Sequence, residues 1–224
     1  MKLLMKYWIF LVVLISQASS NFDLKNCTNC EKSILLSTGY WISKTPIINP
    51  SSKAKIHFQN SFLNLSGFKN DTFYPNITLS AQISKNLILS SKVFSFRANN
   101  DSPQIIGGGL QYYFGTKKDT LNNLFIIQKT DIKGLEYFYL SSINVELKKW
   151  IQLNSFHVRY GVGSMFIKAS IYPILEDLKR KREEQLNYFE LDCLYKTFFI
   201  DFGLGLKLSN EIISLSINLC KELF

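Results

Sequence analysis

The segment Phe198–Leu219, "FFIDFGLGLKLSNEIISLSINL", decides the fold class because its apolar residues recur at every second position. One face of its first half consists of Phe198, Ile200, Phe202, Leu204, Leu206 and Leu208, and the other of Asp201, Gly203, Gly205 and Lys207. Ser209 and Asn210 favour a turn, after which the alternation resumes from Ile213. This period is typical of a strand with one apolar face, so the segment predicts an antiparallel hairpin that sets Leu204 opposite Leu215 across a two-residue turn.

The same alternation extends through most of the chain and predicts an all-β protein. The candidate strands are residues 34–43, 54–66, 76–84, 87–97, 104–115, 121–130, 135–147, 150–162 with an extension to 171, 188–208 and 211–222. A one-residue slip near Asn154 and Ser155 is interpreted as a β-bulge. These candidates give ten strands, or eight if the first lies outside the wall and another pair merges.

One segment, Ile174–Leu186, departs from this pattern. It spaces opposite charges four residues apart, as in Glu176 with Arg180 and Asp177 with Lys181. Such pairs are neighbours on a helix surface. The segment therefore predicts a short charged helix within a loop.

The N-terminal residues predict export. Met1–Ser20 combines two early lysines, an apolar run and a stretch of small residues, which is typical of a secretory signal peptide. Residues 21–33 form a polar segment in which Cys27 and Cys30 are interpreted as a local disulfide, and residues 34–224 form the β-domain. Whether Cys193 and Cys220 pair is left open.

Two all-β architectures fit the alternation. A soluble sandwich buries its apolar face, whereas a membrane barrel turns that face to lipid and its polar face to the lumen. The predicted strand Phe198–Leu208 has about eleven residues, the length that crosses a bilayer at a tilt. The polar faces also carry opposed charges, which suits a narrow lumen that must satisfy its own polar groups. Both features favour the barrel.

The chain resembles the small outer-membrane β-barrel proteins of Gram-negative bacteria. The resemblance is carried by "NITLSAQISKNLILSSKVFSF", "QIIGGGLQYYFG", "FHVRYGVGS" and "FGLGLKLSNEIISLSINL". It implies a single closed antiparallel up-and-down transmembrane β-barrel of 8–10 strands in the bacterial outer membrane. It also implies contact with outer-membrane lipid, insertion by the barrel assembly machinery, and an extracellular ligand met through the loops.

Two groups of candidate functional residues follow from this architecture. The expected polar network of the lumen consists of Glu146, His157, Arg159, Asp201 and Lys207. The expected interfacial aromatic residues are Tyr112, Tyr113, Phe114, Tyr137, Tyr139 and Trp150. The glycines of "IIGGGLQYYFG" lack the lysine and serine or threonine of a phosphate loop, so Gly107 and Gly109 are interpreted as lumen positions beside a bulky neighbour such as Arg159.

The leading functional hypothesis is an integral outer-membrane barrel with a structural, adhesive or narrow-channel role and no catalysis. One alternative is a soluble lipocalin-like barrel that binds an apolar ligand. Another is a lipid-modifying barrel enzyme that uses His157, Ser142 and Glu146. We expect no cofactor, no metal and, despite the net charge of +9, no nucleic acid, because the lysines are scattered along an exported chain.

Overall fold

The structure, a computed structural model, describes residues 31–50, 52, 54–65, 74–96, 102–115, 121–153, 155–172, 180–197 and 199–223. The predicted signal peptide and the predicted Cys27–Cys30 disulfide lie outside these residues. Among the described residues, no helix is long and apolar enough to cross a membrane.

The described residues form a closed antiparallel barrel, which confirms the predicted fold class. Its strands are β1 (Ile56–Leu65), β2 (Tyr74–Ser84), β3 (Leu87–Ser95), β4 (Gln104–Phe114), β5 (Asn123–Lys133), β6 (Phe138–Leu153), β7 (Phe156–Ile171), β8 (Arg180–Tyr195), β9 (Asp201–Ser209) and β10 (Ile213–Glu222). Each strand pairs with the next along the chain. The barrel closes where β10 pairs with β1, with Ile217 opposite Phe62.

The alternation turns the apolar residues outward and the polar residues inward. Leu204 and Val93 are 66% and 73% exposed on the outer surface. Thr78, Gln111 and Asn218 are buried on the lumen side. This arrangement is the reverse of a soluble barrel and matches the pattern that a lipid-exposed wall requires.

The helix occurs at a different place from the predicted one. Helix α1 (Glu31–Ile42) lies inside the barrel, where the sequence predicted a strand at residues 34–43. Its residues from Ile34 onward are all buried. A short segment that is buried on every side has no repeating pattern of apolar and polar residues, so its sequence does not distinguish a helix from a strand.

The predicted charged helix at Ile174–Leu186 is wrong from residue 180 onward, because β8 begins there. The charges in this region pair within β8 or with the neighbouring strand instead of along a helix. Lys168 on β7 lies 2.9 Å from Glu183 on β8, directly opposite in the register. Residues 174–179 lie outside the described part of the chain.

Two connections also differ from the sequence expectations. The predicted strand 188–208 is two strands, β8 and β9, joined through residues 196–200. The slip near Ser155 is the β6–β7 hairpin turn and not a bulge, since Leu153 pairs with Phe156. The last hairpin pairs Leu204 with Ile217, two residues beyond the predicted register, which leaves each residue on its predicted face.

The two rims of the barrel differ. One rim, here named the terminal end, holds the start of β1, the end of β10 and the tight turns after β2 and β6. The opposite rim, here named the loop end, holds five connections, of which 66–73, 96–103 and 172–179 are eight residues long. Of the four connections at the terminal end only 115–122 reaches that length, so the longer connections are concentrated at the loop end, as is typical of one side of outer-membrane barrels.

Replacing Gly161 by Ala is expected to destabilise the barrel by about 1–3 kcal/mol, because the wall has no room for the added methyl group. An added Cβ would overlap the carbonyl oxygen of Leu147 and lie 2.6 Å from the Cα of Lys148 on the facing strand. At Gly108 the nearest atom to an added Cβ is the Ser90 oxygen at 3.7 Å, so Gly108→Ala is the matched control. Urea unfolding in micelles measures both; equal stabilities would contradict this packing.

Candidate functional site: the plugged lumen

The lumen is occupied by the chain itself. Helix α1 and the extended segment Ser43–Asn49 that follows it are here named the plug. From Ile34 to Ile48 every plug residue is buried. A ten-stranded barrel is wider than an eight-stranded one, whose interior side chains alone nearly fill it, and the plug takes up the additional space.

The wall binds the C-terminal end of helix α1. Asn76 donates a hydrogen bond to the carbonyl of Trp41 at 2.8 Å, and Lys92 donates to the carbonyl of Ile42 at 2.9 Å. Lys92 also donates to the carbonyl of Lys44. The last carbonyls of a helix have no partner within it and carry partial negative charge. The buried amine of Lys92 at this position therefore satisfies these carbonyls.

The wall also holds the extended segment through its backbone. Gln111 and Arg159 both donate to the carbonyl of Pro46, at 3.0 and 2.8 Å. Tyr113 donates to the carbonyl of Ile48 at 2.8 Å, and Gln59 accepts from the Ile47 amide at 2.7 Å. These contacts come from strands on several sides of the barrel, so they fix the position of the segment.

A buried ion network joins the plug to β6, β7 and β8. Nζ of Lys44 lies 2.8 Å from Glu190 and 2.7 Å from Asp192. Asp192 also binds Arg159, at 2.7 Å, and Glu190 binds Lys148, at 2.8 Å. The ammonium of Lys44 therefore lies between two carboxylates of β8.

Glu146 connects the network to the helix side of the lumen. Its carboxylate lies 2.6 Å from Lys148 and accepts hydrogen bonds from Thr45 at 2.9 Å and Tyr188 at 2.7 Å. Nζ of Lys207 lies 3.8 Å from the centre of the Tyr188 ring and donates to the hydroxyl of Ser43 at 3.0 Å. Each of these buried charges therefore has partners, as burial in a low dielectric demands.

Apolar side chains close the lumen above and below the ion network. Toward the loop end, Leu35 and Trp41 of the plug belong to a cluster with Phe138 and Ile167 of the wall. Toward the terminal end, Ile47 and Ile48 pack with wall residues such as Trp150. Near that rim a cavity of about 10 Å³ remains between plug and wall, roughly the room that one water needs. The described residues therefore leave no solute-sized passage here.

The structure distributes the predicted polar network over two places. Glu146, Arg159 and Lys207 lie in the ion network around the plug. His157 and Asp201 lie nearer the terminal end, where His157 is 3.4 Å from Asn49 and Asp201 accepts from the Thr197 amide at 3.0 Å. Sequence reasoning thus grouped residues that share a face but not a height in the lumen.

Several members of the network were not among the predicted residues: Lys44, Lys92, Lys148, Glu190 and Asp192. The strand residues carried a usable signal, because Lys148 shares the parity of Glu146 and Asp192 lies opposite Arg159. Lys44 carried none, since it follows a segment that the alternation assigned to the wall.

The predicted interfacial aromatic residues also divide. Tyr112 and Phe114 lie on the outer surface, 43% and 39% exposed, with ring centres 6.2 Å apart. Tyr137 and Tyr139 are partly buried, and the Tyr139 hydroxyl donates to Asp131 at 2.9 Å.

For Tyr113 and Trp150 the interfacial prediction is corrected, because both are buried on the lumen side. Tyr113 has the opposite parity to Tyr112, so one face of β4 cannot hold both. Trp150 packs edge-on against His157, with ring centres 6.1 Å apart.

The candidate catalytic residues do not assemble. Ser142 pairs with Ile167 on β7, which is ten residues along that strand from His157. This separation corresponds to about 33 Å at the usual rise per residue. The carboxylate of Glu146 is bound by Lys148, and among the described residues no group of three potential metal ligands occurs.

Two smaller sequence questions are also answered. Gly107 and Gly109 face the lumen, where an added Cβ would approach Thr130 and Ser90 and not Arg159 as expected. Cys193 and Cys220 are free thiols. Cys220 donates to Gln59 inside the barrel, whereas Cys193 lies opposite the outward-facing Leu204.

No protein-family model and no curated protein matches the sequence. Among solved structures, the KdgM porin in complex with disordered oligogalacturonate has 10% identity, a TM-score of 0.42, and coverage of 75% of this chain and 99% of that chain. Neisserial surface protein A has 12% identity, a TM-score of 0.32, and coverage of 75% and 96%. Ail, the attachment invasion locus protein of Yersinia pestis, has 14% identity, a TM-score of 0.29, and coverage of 74% and 92%. These are bacterial outer-membrane β-barrel proteins, but at such values the description of the fold rests on the strand pairing of this chain alone.

Replacing Lys44 by Met is expected to destabilise the folded barrel by about 3–5 kcal/mol, because Glu190 and Asp192 then lose a buried cation. Lys32→Met is the matched control in the same plug, since the Lys32–Glu211 pair is partly exposed and screened by solvent, so its loss should change the stability much less. Urea unfolding followed by tryptophan fluorescence measures both. Equal effects of the two substitutions would contradict the role assigned to Lys44.

Proposed function

We propose that this chain is a plugged integral β-barrel of the bacterial outer membrane, with a structural or adhesive role exerted at its loop end and without catalytic activity. The observation that carries the proposal is the combination of an apolar outer wall with a lumen filled by the chain's own N-terminal segment. The first feature supports a lipid environment, and the second argues against transport as the resting activity.

The outer surface supports contact with lipid. Large apolar side chains point outward from strands all around the barrel, among them Leu79, Val93, Ile127, Leu147, Val162, Phe189, Leu204 and Leu215. Soluble monomers rarely expose a continuous apolar area of this extent. A soluble lipocalin-like barrel would also need an apolar interior with room for a ligand, whereas this interior is filled by the plug and contains a buried ion network.

The orientation with the loop end outward rests on its longer connections, because exposed lysines lie near both rims. Lysines are also suitably placed for lipid headgroups at the loop end. Lys129 and Lys133 on β5, Lys168 on β7 and Lys181 on β8 are exposed on the outer face near that rim. Nζ of Lys133 lies 5.9 Å from the centre of the Tyr139 ring, which is a suitable neighbour for a lipid headgroup. Because lysines bind phosphate, these residues are placed to meet phosphorylated lipid next to the apolar wall.

The filled lumen favours a structural or adhesive role over a narrow channel. A solute that crosses would have to displace a segment held by buried ion pairs at Lys44 and by hydrogen bonds to the backbone carbonyls of Pro46 and Ile48. The surface left for a partner is therefore the loop end, where three of the four eight-residue connections lie.

Membrane fractionation tests the proposal. The protein is expected to stay in the outer-membrane fraction through carbonate and urea washes and to migrate differently on gels before and after heating.

Leu204→Lys should lower the stability of the lipid-embedded barrel by about 2–4 kcal/mol, whereas Leu204→Ile should have little effect.

Release of the washed protein into the soluble fraction would overturn the membrane assignment. A steady conductance of the purified protein in planar bilayers would overturn the plugged, non-conducting state while leaving the membrane assignment in place.

A further inference from the structure

The plug has a defined direction through the barrel. Near its start, Nζ of Lys32 lies 2.8 Å from Glu211 in the β9–β10 connection, which belongs to the loop end. Near its finish, the carbonyl of Ile48 accepts from Tyr113 and Asn49 lies 3.4 Å from His157, both near the terminal end. The chain therefore enters the lumen at the loop end and leaves it at the terminal end, where β1 begins.

The plug is long enough to cross the whole membrane inside the barrel. The twelve residues of helix α1 span about 18 Å at about 1.5 Å per residue. The amides of Ser43 and Lys44 still donate to helix carbonyls, so only the five residues Thr45–Asn49 are counted as extended, and they add about 17 Å at about 3.3 Å per residue. The sum of about 35 Å exceeds the roughly 30 Å of a bilayer's hydrocarbon core.

We propose that the barrel is threaded by its own N-terminal segment, so that the chain preceding Glu31 emerges at the loop end and is displayed on the cell surface. The start of β1 and the end of β10 then lie on the periplasmic side. The inference rests on the proposed outer-membrane function and extends it, because the surface that meets external partners includes the N-terminal end of the chain beside the loops.

The contacts inside the lumen oppose withdrawal of the plug. Withdrawing the segment toward either rim would leave Glu190 and Asp192 without Lys44, and the carbonyl of Pro46 without Arg159. Close packing at Gly39 also holds the helix against β7, since an added Cβ at this position would overlap Ile167. The N-terminal end is therefore anchored noncovalently by its own barrel.

Thiol labelling on intact cells tests the threading. A membrane-impermeant maleimide, applied after mild reduction, is expected to label Cys27 and Cys30 in the native protein. The double variant Cys27→Ser/Cys30→Ser should lose the label, because the two remaining thiols are inaccessible to a water-soluble reagent. Cys193 lies on the apolar outer wall, where lipid covers it, and Cys220 lies in the lumen.

Two reporter cysteines in that double variant separate failure of the threading from failure of the membrane proposal. Lys168→Cys, exposed near the loop end, should be labelled on intact cells. Lys85→Cys, exposed in the β2–β3 turn, should be labelled only after the outer membrane is permeabilised. If these reporters do not differ, the proposed orientation in the outer membrane is wrong.

If the reporters behave as expected but Cys27 and Cys30 react only in permeabilised cells, the threading is wrong. An epitope inserted after Asp23 gives a second, thiol-independent reading. Antibody binding to intact cells supports the display, and binding only after permeabilisation overturns it.

Discussion

Satisfying backbone carbonyls and charges inside a closed, water-poor lumen is the constraint on which this structure depends. After Ser43 and Lys44, whose amides donate to helix carbonyls, the segment up to Asn49 belongs to no helix or strand. A buried carbonyl without a partner is costly. The barrel wall supplies those partners through side chains such as Lys92, Gln111, Arg159 and Tyr113. The wall and the plug are therefore complementary in hydrogen bonding, and neither interior surface is satisfied without the other.

The same constraint explains the composition of the inward face. The lumen's ion network contains three buried carboxylates, those of Glu146, Glu190 and Asp192. Three of the five buried basic residues pair with them: Lys44, Lys148 and Arg159. The other two have different partners, since Lys92 donates to helix carbonyls and Lys207 lies against two tyrosine rings and Ser43. Small residues leave the necessary room, as at Gly205, where an added Cβ would lie 2.6 Å from Asp192 and 2.9 Å from Lys44.

The barrel was predictable from the sequence because lipid outside and polar groups inside enforce a strict period of two, as Phe202, Leu204 and Lys207 illustrate. The register of the last hairpin was less accessible, because shifting it by two residues leaves every face unchanged. The plug was not predictable, since helix α1 is buried on all sides and has no polar face to set its period. For the same reason Lys44, on which the ion network depends, could not be assigned before its surroundings were known.

Hydrogen–deuterium exchange of the folded protein in lipid measures the central claim directly. The peptide covering residues 40–49 is expected to exchange as slowly as peptides from the wall strands, because Ser43 donates to Gly39 and Ile47 donates to Gln59 inside the lumen. Exchange of that peptide at the rate of an unstructured chain, with the wall strands still protected, would show that the segment does not fill the barrel and would contradict the account.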